Sequence, residues 1–260
     1  MLWWSLLCSC KGVEPAPEDL NNLSLYMWRH FSDEEDTALQ AGIESLHQIM
    51  NVDTLEELLD GSISNLTQND LDAAGKSDQD ASLLSGVFFI NKVNCSIEGI
   101  EPNVYSLAQD ELHPETYDAY ERNYTSDFDA YKAREEDFLS WDTTYDISGF
   151  GYDYRAHLES TLRFSAVQDD TDFSNMLISR TILKEPAYFD EDSTNRGLFQ
   201  DFQMEVYYQL DSGDSLHFYA IWREMILFGN MSFASESAQR LVLDGLSDWD
   251  RDMEENCSIP

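Results

Sequence analysis

Phe202-Gln203-Met204-Glu205-Val206-Tyr207-Tyr208-Gln209-Leu210 decides the fold. Phe202, Met204, Val206, Tyr208 and Leu210 alternate with Gln203, Glu205, Tyr207 and Gln209, the two-residue period of a half-buried strand. Asp211-Ser212-Gly213-Asp214 turns the chain, and Leu216 to Phe228 returns as a strand apolar on both faces, hence central or covered. Upstream, Leu158, Leu162, Phe164 and Ala166 alternate with His157, Glu159, Arg163 and Ser165, and Met176 to Leu183 supplies a further strand. The region from Tyr145 onward therefore reads as an antiparallel sheet. Gly149 and Gly151 interrupt one strand and mark a bulge or bend. Val87-Phe88-Phe89-Ile90 is an earlier strand.

Helical spacing flanks this region. Ser235 caps a C-terminal helix, with Glu236 at the positive end of its dipole. Ala238, Leu241, Val242, Gly245, Leu246, Trp249 and Met253 fall on one face, so the helix should lie across the sheet. Near the start, Leu20, Leu23, Met27 and Phe31 predict one helix. Leu39, Ile43, Leu46 and Met50 predict a second behind a capping box at Ser32-Asp33-Glu34-Glu35. A short helix is expected over Thr54 to Leu59, and a polar loop from Gly61 to Asp80. After His113-Pro114, the aromatic residues Tyr117, Tyr120, Tyr124, Phe128, Tyr131 and Phe138 recur at helical steps, with Ser126-Asp127 capping a second helix inside the segment.

The expected fold is α+β: a curved antiparallel sheet with a long C-terminal helix packed on it, preceded by a small helical region. Four parts follow: a signal segment at 1–10, a tether at 11–18, an N-terminal helical region with an acidic loop at 19–80, and an α+β domain at 85–260. Over roughly 85–256 the order of elements resembles the helix-grip arrangement of START-like proteins, in which a curved sheet wraps a terminal helix. That resemblance implies a cavity between helix and sheet, with Trp249, Leu246, Phe202, Tyr208 and Trp222 as its lining. A fully packed core is the alternative.

The charge narrows the partners. The 260 residues carry 15 Lys plus Arg against 51 Asp plus Glu, a net charge of −36. Nucleic acid is excluded as a partner, because binding it requires cations to neutralise phosphates. Anionic membrane surfaces repel such a chain. At 13% aromatic residues the sequence supports a packed core rather than an acidic disordered chain. Self-repulsion of this size is relieved by salt, which suits a saline medium as well as an ordinary acidic secreted protein.

Leu7-Cys8-Ser9-Cys10, at the end of the apolar segment Met1 to Cys10, resembles the lipobox of bacterial lipoproteins. The resemblance implies cleavage before Cys10 and a lipid on that cysteine, hence a cell-envelope location and membrane contact through the anchor alone. With Cys8 and Cys10 so assigned, Cys95 and Cys257 remain as an even pair, which an exported protein tends to oxidise. Asn-x-Ser/Thr at Asn22, Asn65, Asn94, Asn123, Asn230 and Asn256 would instead suit a eukaryotic secreted glycoprotein.

Catalytic and metal signatures are sparse. Gly213-Asp214-Ser215-Leu216 resembles the motif of GDSL hydrolases, but His217 is the last histidine and a downstream base is lacking. The sequence has no His-Glu-x-x-His, Cys-x-x-Cys or glycine-rich phosphate loop. Asp70, Asp72 and Gly75 suggest a calcium loop whose closing Glu is replaced by Ala81; Asp190, Asp192 and Asp201 form another loose acidic group. Both read as solvated acid, so no metal and no cofactor are expected. The expected function is non-enzymatic: an exported, lipid-anchored protein binding an apolar small molecule or an envelope protein. The rivals are a secreted hydrolase using Asp or Glu and a secreted glycoprotein with a structural role.

Overall fold

A computed structural model describes residues 15–50, 59–149, 152–166, 175–190, 193–227 and 230–257. The lipobox-like segment and most of the helix expected over Thr54 to Leu59 lie outside these. The chain opens with helices α1 (Leu20–His30) and α2 (Thr37–Met50). There follow β1 (Leu59–Ile63), α3 (Gln68–Ala73), β2 (Ser85–Val93), α4 (Ile97–Val104), α5 (Gln109–Leu112), β3 (Ala119–Tyr124) and α6 (Phe128–Lys132). The antiparallel run comprises β4 (Phe138–Gly149), β5 (Tyr152–Ala166), β6 (Asn175–Leu183), β7 (Ala187–Asp190), β8 (Ser193–Gln209) and β9 (Ser215–Ile226), and α7 (Glu236–Glu255) follows it. The strands form one curved antiparallel sheet in the order β1-β2-β9-β8-β6-β5-β4-β3, with β7 paired to β8. The fold is α+β, as the alternation and the terminal amphipathic helix imply.

The turn at Gly213 adopts φ +88°, which favours glycine, and sends β8 back as β9 in full register from Gln209↔Ser215 to Phe202↔Trp222. β9 lies between β2 and β8 and is buried on both faces, but only the row of Leu216, Phe218, Ala220 and Trp222 is wholly apolar; the other holds His217 and Arg223. Ser235 caps α7 by accepting from the amide of Ala238.

The side of the sheet that each row faces differs from expectation. Phe202, Met204, Val206 and Tyr208 of β8 join Leu216, Phe218, Ala220 and Trp222 of β9 in a core shared with Leu23, Met27, Trp28 and Phe31 of the N-terminal segment. The most apolar row is thus sealed by α1 and α2. The C-terminal helix covers the opposite face, against Val87, Phe89 and Ile221. The N-terminal helical region shares this core, and its β1 extends the sheet by pairing with β2.

Four local readings are corrected. The aromatic segment is not one helix: Ala119–Tyr124 is an edge strand on β4, and only Phe128–Lys132 is helical, capped by Asp127. Residues 61–80 contain β1 and α3, the latter with a capping box of Thr67 and Asp70. The second helix starts at Thr37, not behind Ser32. The buried Arg163 guanidinium takes the carbonyls of Phe31 and Asp33 and pairs with Asp36, which fixes residues 31–36 outside a helix. The strand expected to be interrupted by a bulge or bend is two strands, since Gly149 ends β4 opposite Tyr152, the first residue of β5; Gly151 lies outside the described residues.

Candidate functional site

Because the apolar row of β8 faces α1 and α2, its polar row, Asp201, Gln203, Glu205 and Tyr207, must face α7. The matching row of β9 is His217, Tyr219, Ile221 and Arg223. Between these rows and α7 lies a cavity of about 300 Å³. Its walls are phenols (Tyr117, Tyr120, Tyr145, Tyr154, Tyr219), the indoles of Trp141 and Trp249, and the aliphatic Leu158, Val242 and Leu246. Gln203, Glu205 and Arg223 supply its sheet-side polar groups.

Each charge there is held by a partner. Arg223 donates from Nε and Nη2 to the two carboxylate oxygens of Asp201, both at 2.8 Å. Asp201 is fully buried, and Gln203 donates to it while accepting from the Tyr219 hydroxyl. Such a planar, two-bond pair fixes the guanidinium at the cavity wall. Burial disfavours its charge, yet Asp201 beside it raises the Arg223 pKa further. Arg122, over the face of Trp141 at 4.4 Å, donates to the Val104 carbonyl and to the Tyr120 hydroxyl.

His217 forms the second cluster. Its Nδ1 lies 2.6 Å from Asp250 Oδ1 and its Nε2 lies 3.2 Å from Glu205 Oε1. Its ring stacks on Tyr207 at 4.2 Å. Burial alone would discharge this imidazole, but Asp250 and Glu205 outweigh it and push its pKa up to about 9. The same contact lowers Glu205 against a desolvation that would raise it. Glu205 also accepts from the Tyr207 and Ser179 hydroxyls, at 3.0 and 3.1 Å. Asp250 accepts from Asn91 as well, at 2.8 Å, so the cluster ties α7 to β2, β8 and β9. A second buried histidine behaves oppositely: His113 stacks on Trp249 at 3.5 Å, and burial, opposed by its contact with Asp252, lowers its pKa.

In and behind the lining, Arg122, His217 and Arg223 are balanced by Asp201, Glu205 and Asp250. The site is therefore close to neutral within a chain of net charge −36. Burial raises the pKa of Tyr117, Tyr145 and Tyr219, so these phenols stay protonated as hydrogen-bond donors. Among the described residues, the hydroxyls of Tyr117 and Tyr145 have no protein hydrogen-bond partner. The arrangement offers apolar ring surface, a few free donors and fixed charges, with His217 wholly buried behind Glu205, which lines the cavity.

Of the residues expected to line a cavity, Leu246 and Trp249 do so. Phe202, Tyr208 and Trp222 do not; they lie across the sheet, where Trp28 packs edge-on against Phe202 and Trp222 at 5.9 and 5.5 Å. Cys95 and Cys257 are joined by a disulfide that fixes the end of α7 beside the end of β2. Cys10 lies outside the described residues. Ser215 of the GDSL-like tetrapeptide is buried and donates to the Cys95 carbonyl at 2.7 Å, which excludes it as a free nucleophile here. Asp70 pairs with Arg29, and Asp201 with Arg223, so neither stands in a loose acidic group. The residues missed were Glu205, Tyr219, Arg223 and Asp250. For Glu205, Tyr219 and Arg223 the available signal was their position on the alternate row of long, strongly patterned strands; Asp250 lies on α7 and had none.

No protein-family model matches the chain, and no curated protein matches it. Among solved structures, a START superfamily protein from Mycobacterium smegmatis is similar at 14% identity and a TM-score of 0.42, over 66% of this chain and 96% of that one. The human StarD13 lipid transfer and protein localization domain aligns at 10% identity and 0.45, over 84% and 97%. Human STARD10 aligns at 6% identity and 0.41, over 74% and 81%.

Proposed function

We propose that this protein binds a compact, mainly apolar, ring-bearing molecule with one or two polar groups beneath α7. The observation that carries this reading is the aromatic cavity whose Tyr117 and Tyr145 hydroxyls are left for a ligand acceptor. Its volume lies at the low end of small-molecule sites, roughly 300–1,000 Å³. Arg223 and Glu205 at the sheet side orient the polar groups, and Leu246 and Trp249 close the chamber from the helix.

An uncharged environment-sensitive probe, N-phenyl-1-naphthylamine, tests this. The expected result is saturable fluorescence enhancement at one site, weakened at least tenfold in Leu246→Trp, whose larger ring fills the chamber. Equal binding by wild type and variant, or no saturable binding, would overturn the reading.

The chain is further read as exported and tethered to the cell envelope through Cys10. The lipobox-like Leu7-Cys8-Ser9-Cys10 supports this, as does the Cys95–Cys257 disulfide, a bond suited to oxidising compartments. Mass spectrometry of the mature chain from its native host should show a start at Cys10 carrying acyl mass; an intact Met1 terminus would refute the tether.

A further inference from the structure

Arg180 lies on β6, on the face away from the ligand cavity. In a chain where 51 acids face 15 bases, arginines readily find carboxylates, as Arg29, Arg155 and Arg223 do. Arg180 does not: among the described residues it makes no hydrogen bond to protein and no ion pair within 4 Å, although the charge of Glu159 reaches it. Instead its guanidinium sits over the rings of Phe31 and Trp28, at 4.8 and 5.1 Å, which hold the plane in place.

The group lines a groove of about 460 Å³ where α1 and α3 leave the sheet uncovered. Three adjacent strands supply hydroxyls beside it. Thr161 is the β5 residue opposite Arg180, and Ser140 is the β4 residue opposite Thr161, their oxygens 3.1 Å apart. Thr125 adds a third hydroxyl. The carboxylates at the rim are already engaged: Glu159 lies 3.7 Å from Lys76 Nζ, and Asp142 lies 2.9 Å from Lys184 Nζ. Counted with the two lysines that flank the groove, Arg180, Lys76 and Lys184 exceed Glu159 and Asp142 by one positive charge, and of the three cations only Arg180 lines the groove and carries a fork of donors.

We infer that the groove around Arg180 is a second binding site, specific for a singly charged oxyanion of the carboxylate kind. A carboxylate matches the guanidinium fork through two parallel hydrogen bonds. Thr125 and one hydroxyl of the hydrogen-bonded pair Ser140 and Thr161 then donate to its remaining lone pairs. A single excess positive charge matches a single negative one, so a phosphate dianion is the weaker ligand. The site shares no charged residue with the cavity beneath α7 and stands or falls independently of it.

The test is NMR titration of the Arg180 Nε–Hε signal in the full chain. The signal is assigned by its loss in Arg180→Lys. Sodium acetate and inorganic phosphate are compared at constant ionic strength, with chloride as the balancing ion. The expected result is a saturable shift with acetate in the millimolar range and at least threefold weaker binding of phosphate at pH 8. Thr161→Val leaves the guanidinium and its ring contacts in place and should weaken acetate severalfold. Backbone amide shifts around the groove should lose their acetate response in Arg180→Gln, checked as folded by its circular dichroism. A response linear in concentration, or one unchanged in Thr161→Val and Arg180→Gln, would reduce Arg180 to a packing residue. Tighter binding of phosphate than of acetate would overturn the assignment of charge.

Discussion

Along β8 and β9, neighbouring residues live in different surroundings. Phe202, Met204 and Val206 with Phe218, Ala220 and Trp222 meet the aromatic side chains of α1 in an apolar core, whose charges, Arg163 and Arg180, sit at its β5 and β6 side. One residue away, Asp201, Gln203 and Glu205 with His217, Tyr219 and Arg223 build a charged wall beneath α7. The contrast teaches how this sheet carries buried charge. Desolvating an ion pair is expensive, and such pairs contribute little net stability. The dry face supplies apolar burial, and the wet face uses the strands so anchored to hold its charges in one geometry.

The sharpest way to break this comparison is to damage the dry face alone. Trp222 is fully buried and packs on Trp28, and its indole nitrogen donates to the Ser64 carbonyl at 2.9 Å. Trp222→Ala should reduce unfolding stability by about 3–5 kcal/mol, read from the urea midpoint. A loss below about 1 kcal/mol would show that the α1 and α2 face is not what holds the sheet.

The wet face should reveal itself through pH. His217 titrates near its ordinary 6.5 when unfolded and at about 9 when folded. Its contribution is therefore complete below about pH 6.5 and is lost as pH rises through 9. Stability curves of wild type should fall across that window, and those of His217→Gln should be flatter there. His113 has the opposite sign: with its folded pKa lowered, the protein loses stability as pH falls below 6.5. An alkaline fall that persists undiminished in His217→Gln would place the titrating group elsewhere.

The smallest effect concerns the helix that covers the wet face. A Cβ added at Gly245 would meet nothing within 4 Å. Gly245→Ala should stabilise α7 by about 0.5–1 kcal/mol, a rise of a few degrees in Tm. Destabilisation would mean that the helix moves against the sheet at this point.

The same contrast marks how far the sequence could be read. The strands from Tyr145 onward and α7 were legible, because apolar residues recur at the periods of a strand and a helix. What alternation leaves open is which helix covers which row. It separates Phe202 from Gln203 but is silent on whether α1 or α7 lies above Phe202. Three of the five cavity residues, Phe202, Tyr208 and Trp222, were misplaced for that one reason. Arg223 and Asp201 are 22 positions apart, and His217 and Asp250 are 33 apart, so their pairing shows only when the strands and helix meet. In isolation the polar row reads as facing water. The segment from Tyr117 to Phe138 failed differently: aromatic steps of three and four suit a helix, but pairing of β3 with β4 overrides local spacing. The Cys95–Cys257 bond was expected once Cys8 and Cys10 were set aside as part of the lipobox-like segment.

That bond spans 162 positions and encloses β3 to β9 and the whole of the cavity lining. A protease nicking any surface connection inside this span would produce two pieces that still migrate as one on a non-reducing gel. They would separate only after a thiol is added. Damage at the exposed hairpins would thus go unseen by size until reduction, and the protein would remain assembled around its chamber after its backbone had been cut.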